Sequence, residues 1–197
     1  MSKQLDDNFW STRYKENTTG WDLGQVSPPI EAYVDQLTNK DISILIPGCG
    51  NSHEAEHILA AGFKKVTLVD ISEVLVERLK VKFEAEITAG RCEVIHADFF
   101  DLKGTFDLVI EQTFFCAIDP ALRQQYAQKM AELLKPGGKV AGVLFEMHKP
   151  EGPPFGGNSE EYLGYFEPLF DIKSMEPCHN SIAPRAGSEL FIILQKK

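Results

Sequence analysis

The sequence predicts an α/β domain, a mostly parallel sheet with helices on both faces. Short apolar runs alternate with amphipathic stretches, the pattern of repeated βαβ units. A Gly-x-Gly turn follows the first run, and an acidic residue, Asp70, ends the next, 20 positions after Gly50. A chain of 197 residues suits one domain, read here as 1–197 with an N-terminal segment, 1–40, that carries several aromatic residues.

The elements follow in order. Residues 42–46 (Ile-Ser-Ile-Leu-Ile) read as a first buried strand, and 54–61 as a helix that Gly62 ends. Residues 65–70 form a second strand. Ser72 caps a helix over 73–83, where Val74, Leu75, Arg78, Leu79 and Lys82 keep helical spacing. Residues 92–96 and 106–110 give the third and fourth strands. Between Pro120 and Leu134, the residues Leu122, Tyr126, Met130, Leu133 and Leu134 again recur helically. Lys135-Pro-Gly-Gly138 stops that helix and turns into a fifth strand, 139–145. A Pro- and Gly-rich loop spans 149–158, and two further strands fall at 170–175 and 189–195. Glu189, Phe191, Ile193 and Gln195 alternate along the last, which reads as antiparallel and less buried.

Composition narrows the function. Lys+Arg 20 against Asp+Glu 29 gives a net charge of -9, which opposes a phosphate-tracking nucleic-acid binder. The longest apolar stretches, 140–145 and 190–194, fall far short of the ~20 residues that cross a bilayer. The first residues lack the apolar core of a signal peptide, so the expected location is cytoplasmic. Cys49, Cys92, Cys116 and Cys178 show no CxxC spacing. Three lie in or beside apolar runs, as buried free thiols do in a reducing compartment.

The chemistry gathers at the carboxyl ends of the strands. In Ile46-Pro-Gly-Cys-Gly-Asn-Ser-His53, Gly48 and Gly50 let backbone approach a ligand beside the N–H groups of a helix start. Asp70 can accept hydrogen bonds from both hydroxyls of a ribose. Asp98 and Phe99 follow the third strand, where a carboxylate can accept from an adenine amino group and the next N–H can donate to the ring. Glu111 and Gln112 leave the fourth strand on the same edge. A dinucleotide fingerprint requires a third glycine where this chain has His53. A nucleoside cofactor without phosphates, S-adenosylmethionine, fits better.

These residues resemble those of class I S-adenosylmethionine-dependent methyltransferases. More narrowly, the chain is similar to the thiopurine S-methyltransferase family and its thiol and halide branch. The resemblance rests on Thr19-Gly-Trp-Asp-Leu-Gly24, Ser27-Pro28, Ile46-Pro-Gly-Cys-Gly50, Val69-Asp-Ile-Ser72, Ala97-Asp-Phe99, Phe114-Phe-Cys-Ala-Ile118, Leu134-Lys-Pro-Gly-Gly138 and Gly152-Pro-Pro-Phe155. It implies a seven-stranded Rossmann-like sheet in the order 3-2-1-4-5-7-6 with the last strand antiparallel. It also implies cofactor contacts from Trp10, Tyr14, Trp21 and Ile71, with the first forty residues as a helical, aromatic lid. Aromatic faces attract a sulfonium cation, and residues 10 and 14 would share one helical face. Two departures stand out: Tyr14 where the branch often has Trp, and Gln112 where Tyr is common.

The activity so implied is methyl transfer to a small soft nucleophile, a thiol sulfur or a halide, by in-line displacement without an obligatory general base. Phe114, Phe115 and Phe155 are candidates for the acceptor pocket, and Arg185 for steering an anionic acceptor. The partner is a small-molecule acceptor, with no nucleic acid and no membrane; a monomer suffices for such a site. The alternatives are a non-catalytic module that binds S-adenosylmethionine or S-adenosylhomocysteine, and an NAD-type oxidoreductase. Three motifs point elsewhere. His53-Glu54-Ala-Glu56-His57 spells the H-E-x-x-H zinc pattern but sits straight after the glycine turn, with no third ligand motif downstream. Gly152-Pro-Pro-Phe155 resembles a nucleic-acid methyltransferase motif displaced from the fourth strand to the fifth. Cys49 and Cys116 lack a base at recognisable spacing and read as structural.

Overall fold

The computed structural model describes residues 4–197. Seven strands form one sheet in the order β3-β2-β1-β4-β5-β7-β6. They are β1 (Ser43–Pro47), β2 (Lys65–Asp70), β3 (Cys92–His96), β4 (Phe106–Gln112), β5 (Leu134–Phe145), β6 (Phe170–Pro177) and β7 (Glu189–Lys196). The first five run parallel, and β7 is antiparallel to both β5 and β6. Seven helices accompany them: α1 (Asp7–Lys15), α2 (Pro28–Asp35), α3 (His53–Ala60), α4 (Glu73–Lys82), α5 (Glu84–Thr88), α6 (Arg123–Leu133) and α7 (Ser159–Phe166).

Side-chain alternation splits the core between the two faces of the sheet. Ile44 and Ile46 of β1, Val66 and Leu68 of β2, and Leu108 and Ile110 of β4 share a cluster with Ile30, Val34, Ala55, Ile58, Leu75 and Leu79. Leu45, Val69, Val109, Val140 and Leu144 point the other way, to Tyr126, Met130, Tyr162 and Phe166. Covered on both faces, the central strands read as continuous apolar runs rather than alternating ones. Cys49, Cys92, Cys116 and Cys178 are all buried and free. No helix among the described residues is long and apolar enough to cross a membrane.

Several elements differ from the sequence reading. β4 runs two residues further than expected, to Gln112, which carries Glu111 and Gln112 within the strand rather than beyond it. Lys135-Pro-Gly-Gly138 is no separate turn: β5 starts at Leu134, pairs with Phe106, and resumes at Leu108↔Lys139 across a register shift, with Gly137 at φ +72. β7 is antiparallel, as read, but it is not the exposed strand. It lies between β5 and β6, and Leu190, Ile192 and Leu194, the face opposite the residues singled out, fill the core. The loop before β6 contains an unexpected helix, α7, whose N-cap Asn158 accepts from Glu161 N and whose Tyr162 and Phe166 are buried.

Gly142 marks the tightest point of the sheet. A Cβ there would fall 2.0 Å from the Glu111 carbonyl oxygen, a backbone atom with nowhere to move. Gly142→Ala is therefore expected to lower unfolding free energy by at least about 3 kcal/mol, the upper end of ordinary overpacking, measured by urea unfolding.

Candidate active site

The carboxyl ends of β1 to β5 open into a cavity of about 1030 Å³, slightly beyond the ~300–1,000 Å³ common for ligand pockets. Its floor is the turn after β1. Gly48 and Gly50 adopt φ +54 and +53, and a Cβ on Gly48 would fall 2.2 Å from Phe114 Cδ2. Glycine is favoured at both by the left-handed backbone, and at Gly48 the aromatic ring also leaves no room for a side chain.

Asp70 stands at the end of β2, buried, with its carboxylate accepting from Ser72 N at 2.9 Å and Gly50 N at 3.3 Å. Burial raises its pKa to about 6 against the opposing effect of these bonds. Ile71, Asp98 and Phe99 line the same wall, and Asp98 Oδ1 accepts from Phe100 N at 2.9 Å to cap a short turn. Gln112 faces the cavity with its Oε1 buried and without a hydrogen-bond partner. An orphaned buried acceptor is costly and asks for a donor from a ligand.

Residues of the N-terminal segment line one side of the cavity. Asp6 caps α1 by accepting from Phe9 N at 3.0 Å. Asp7 accepts from Glu73 N at 3.0 Å and from Ser11 Oγ, and Ser11 and Ser72 hydroxyls meet at 2.9 Å. These bonds dock α1 on the start of α4. The ring of Trp21 makes edge contacts with Trp10, at 5.5 Å between centroids, and Tyr14, at 5.9 Å. All three line the cavity. Asp22 accepts from Gly24 N, Asn51 Nδ2 and the His53 ring; burial alone would raise its pKa, and these bonds outweigh it and lower it.

Three sequence candidates lie elsewhere. Glu111 is fully buried behind the wall, where one oxygen accepts from Phe114 N at 2.8 Å and Phe115 N at 3.0 Å and the other from the Tyr126 hydroxyl. Phe115 turns into the core against Tyr126 and Tyr162 rather than into the cavity. Phe155 is outside the lining, and Pro153 and Pro154 supply the rim instead. Phe114 does line the cavity. So does Arg185, which is no surface residue: it is 8 % exposed, with Nη2 donating to Trp21 O at 2.7 Å and Nη1 to Glu189 at 3.3 Å.

The H-E-x-x-H side chains take different partners: His53 binds Asp22 and Glu56, His57 binds Asp35, and buried Glu54 accepts from Ser27 N. Sequence reasoning missed Asp22; Cys116, read as structural, also lines the cavity, and Pro153 and Pro154 do cover it, as a rigid Pro-Gly loop over a substrate pocket would. Asp22 lies inside the quoted Trp-Asp segment, so its neighbour's aromatic ring drew the attention that its carboxylate shared.

The chain matches the model of the thiopurine S-methyltransferase family over residues 5–190. It belongs to that family. It is 33% identical over 184 residues to a probable thiol methyltransferase of Arabidopsis thaliana, covering 91% of this chain and 81% of the relative. It is 29% identical over 193 residues to a thiocyanate methyltransferase of Brassica oleracea, covering 96% and 85%. Among solved structures it resembles a magnesium protoporphyrin IX methyltransferase from Synechocystis with bound S-adenosylmethionine. That match has TM-score 0.75, 15% identity and full coverage of both chains. It also resembles a Burkholderia thailandensis 1,6-didemethyltoxoflavin-N1-methyltransferase with TM-score 0.76 and 17% identity, over 97% of this chain and 87% of that one. The fold is that of class I methyltransferases, and this family member is an S-adenosylmethionine-dependent methyltransferase.

Glu111 gives a pH signature. Burial raises its carboxyl from 4.5 to about 7, so its contribution to stability is complete below pH 4.5 and is lost as pH rises through 7. Glu111→Gln keeps an oxygen for the two N–H groups and removes the ionisation. It should flatten the fall in unfolding free energy between pH 4.5 and 7 by about 3 kcal/mol, leaving the part due to Asp70.

Proposed function

We propose that this methyltransferase acts on the sulfur of small thiols, with halide ions as weaker acceptors of the same site. S-adenosylmethionine supplies an electrophilic methyl group on a cationic sulfur. Gly48, Gly50, Asp70, Ile71, Asp98 and Phe99 would hold its nucleoside part, and the unpaired Gln112 Oε1 would accept from a donor such as its ammonium. Trp10, Tyr14 and Trp21 would act as a lid, turning aromatic surface towards the cation and keeping water from it.

The observation that carries the acceptor class is that, among the described residues, no histidine, lysine or tyrosine lines the cavity where β4 and β5 end. Among the described residues lining that part, Asp119 Oδ1 accepts from Ala121 N to cap a short turn and Thr113 donates to Gln112 O. Arg185 is tied to Glu189 and Trp21, and the Cys116 thiol, which donates to Thr113 O, is pushed by burial up to about 12. The one carboxylate there is far less basic than an alcohol or amine acceptor would require. A nucleophile that arrives already ionised, as a halide does and as bisulfide and aromatic thiols largely do near neutral pH, needs no such group. Phe114, Phe145, Pro153 and Pro154 offer it an apolar surface. Six carboxylates line the cavity against two arginines and one histidine, which suits a small acceptor and not a nucleic acid.

Titration with S-adenosylhomocysteine, followed by turnover assays with bisulfide, benzenethiol and iodide, tests the proposal. Turnover of the thiols with kcat/KM rising along each thiol's own ionisation is expected. A profile set by one enzyme pKa, identical for all three acceptors, would sink it. For the lid, Trp21→Ala should weaken S-adenosylmethionine binding about tenfold, and S-adenosylhomocysteine, which lacks the cation, distinctly less. Equal losses would leave the ring a packing role only.

A further inference from the structure

We propose that Arg123, a residue outside the cavity, positions the Pro153–Pro154 rim against the wall formed by residues 114–122 and so sets the bulk of acceptor admitted. The proposal rests on the reading that the β4–β5 end of the cavity receives the acceptor.

Arg123 stands where the fold alone has no use for it. It is the first residue of α6, where the helix dipole opposes positive charge, and only 2 % of it is exposed. A buried cation is weak evidence for stability, because desolvation offsets much of what its partners return. Its Nε is buried and unpaired, so the site is not optimised for holding a guanidinium. What the group does is reach across a gap. Nη1 donates to Glu161 of α7 at 2.7 Å, Nη2 donates to the Gly156 carbonyl at 2.7 Å, and the plane lies 4.8 Å from the Phe115 ring and 5.6 Å from Tyr162.

The loop it holds cannot place itself. Pro153 and Pro154 have no N–H to donate. The loop folds on its own base through Met147 and Gly157, with N–H···O bonds of 3.1 and 3.0 Å, and through Gly156 N to Lys149 O at 2.9 Å. A Cβ at Gly156 would fall 2.1 Å from Met147 O and one at Gly157 2.4 Å from Tyr162 Oη, so this base is closely packed. Two bonds tie the loop to the chain after β4: Phe155 N to Cys116 O at 2.7 Å, and Arg123 to Gly156 O. Between those anchors run Ala117, Ile118, Asp119 and Leu122 of the cavity wall. The guanidinium fork therefore keys rim to wall, and loss of one prong frees the rim to swing about the Met147–Gly157 pair.

Arg123→Lys keeps the charge but cannot reach both partners as a planar fork does. The first readout is amide exchange at Phe155 and Gly156, expected to accelerate about tenfold in the variant while Cys49, in the glycine turn, keeps its rate. The second is binding of benzenethiol and naphthalene-2-thiol to protein loaded with S-adenosylhomocysteine. The ratio of the two affinities should move about fivefold or more towards the bulkier thiol, with S-adenosylhomocysteine affinity within about twofold of the parent. A role confined to the core would weaken all three ligands together and leave the ratio fixed, which overturns the proposal. Glu161→Gln, which weakens the other prong, should move both readouts the same way and serves if Arg123→Lys does not fold. A parent protein that binds S-adenosylhomocysteine but neither thiol overturns the acceptor reading and this inference with it. A parent that binds both, with a ratio unmoved in the variants, overturns only the role of Arg123.

Discussion

The site exists because of where the chain changes direction in the sheet. From β1 the strands are laid outward to β2 and β3, and the chain then returns to place β4 on the other side of β1. The connections above β1 and β4 must diverge, and a crevice opens between them. Every feature of the cavity follows from that divergence. The turn after β1 has to be glycine because Phe114, leaving β4, passes within touching distance of Gly48. Glu111 must be buried under the departing chain, since the first N–H groups beyond β4 have no strand partner left. The N-terminal segment, docked on α4, lines part of the gap that the sheet leaves open.

Much of this was legible in the sequence, for one physical reason. A buried parallel strand followed by an amphipathic helix leaves a signal in local residue order, as at 65–70 followed by 73–82, where even the Ser72 cap is found bonded to Leu75 N. The glycine turn and Asp70 were legible because their chemistry is confined to a few adjacent residues. The resemblance supplied the sheet order, which no local pattern contains.

What stayed hidden depends on contacts distant along the chain. The alternating residues of β7 gave no hint that the opposite face was the packed one, because the α6 and α7 side chains that share its cluster, such as Met130 and Phe166, lie far from it in sequence. Phe114 and Phe115 are neighbours of equal hydrophobicity, and only the geometry forced by Glu111 sends one to the cavity and the other to the core. Arg185 read as a steering charge, yet its hydrogen bond reaches 164 positions back to Trp21. The cap of α7, Asn158 with Glu161 three residues later, was visible in the sequence but lay in a loop dominated by its prolines and glycines.

The buried thiols carry one more consequence. A catalyst that holds an activated methyl group exposes its own sulfur atoms to that electrophile. Cys116 forms part of the cavity wall, yet burial holds it protonated and its Sγ is turned to the Thr113 carbonyl. Cys49, in the glycine turn itself, is raised well above the ordinary thiol range. Protonated sulfur is a poor nucleophile, so the same desolvation that packs the core protects the protein from methylating itself.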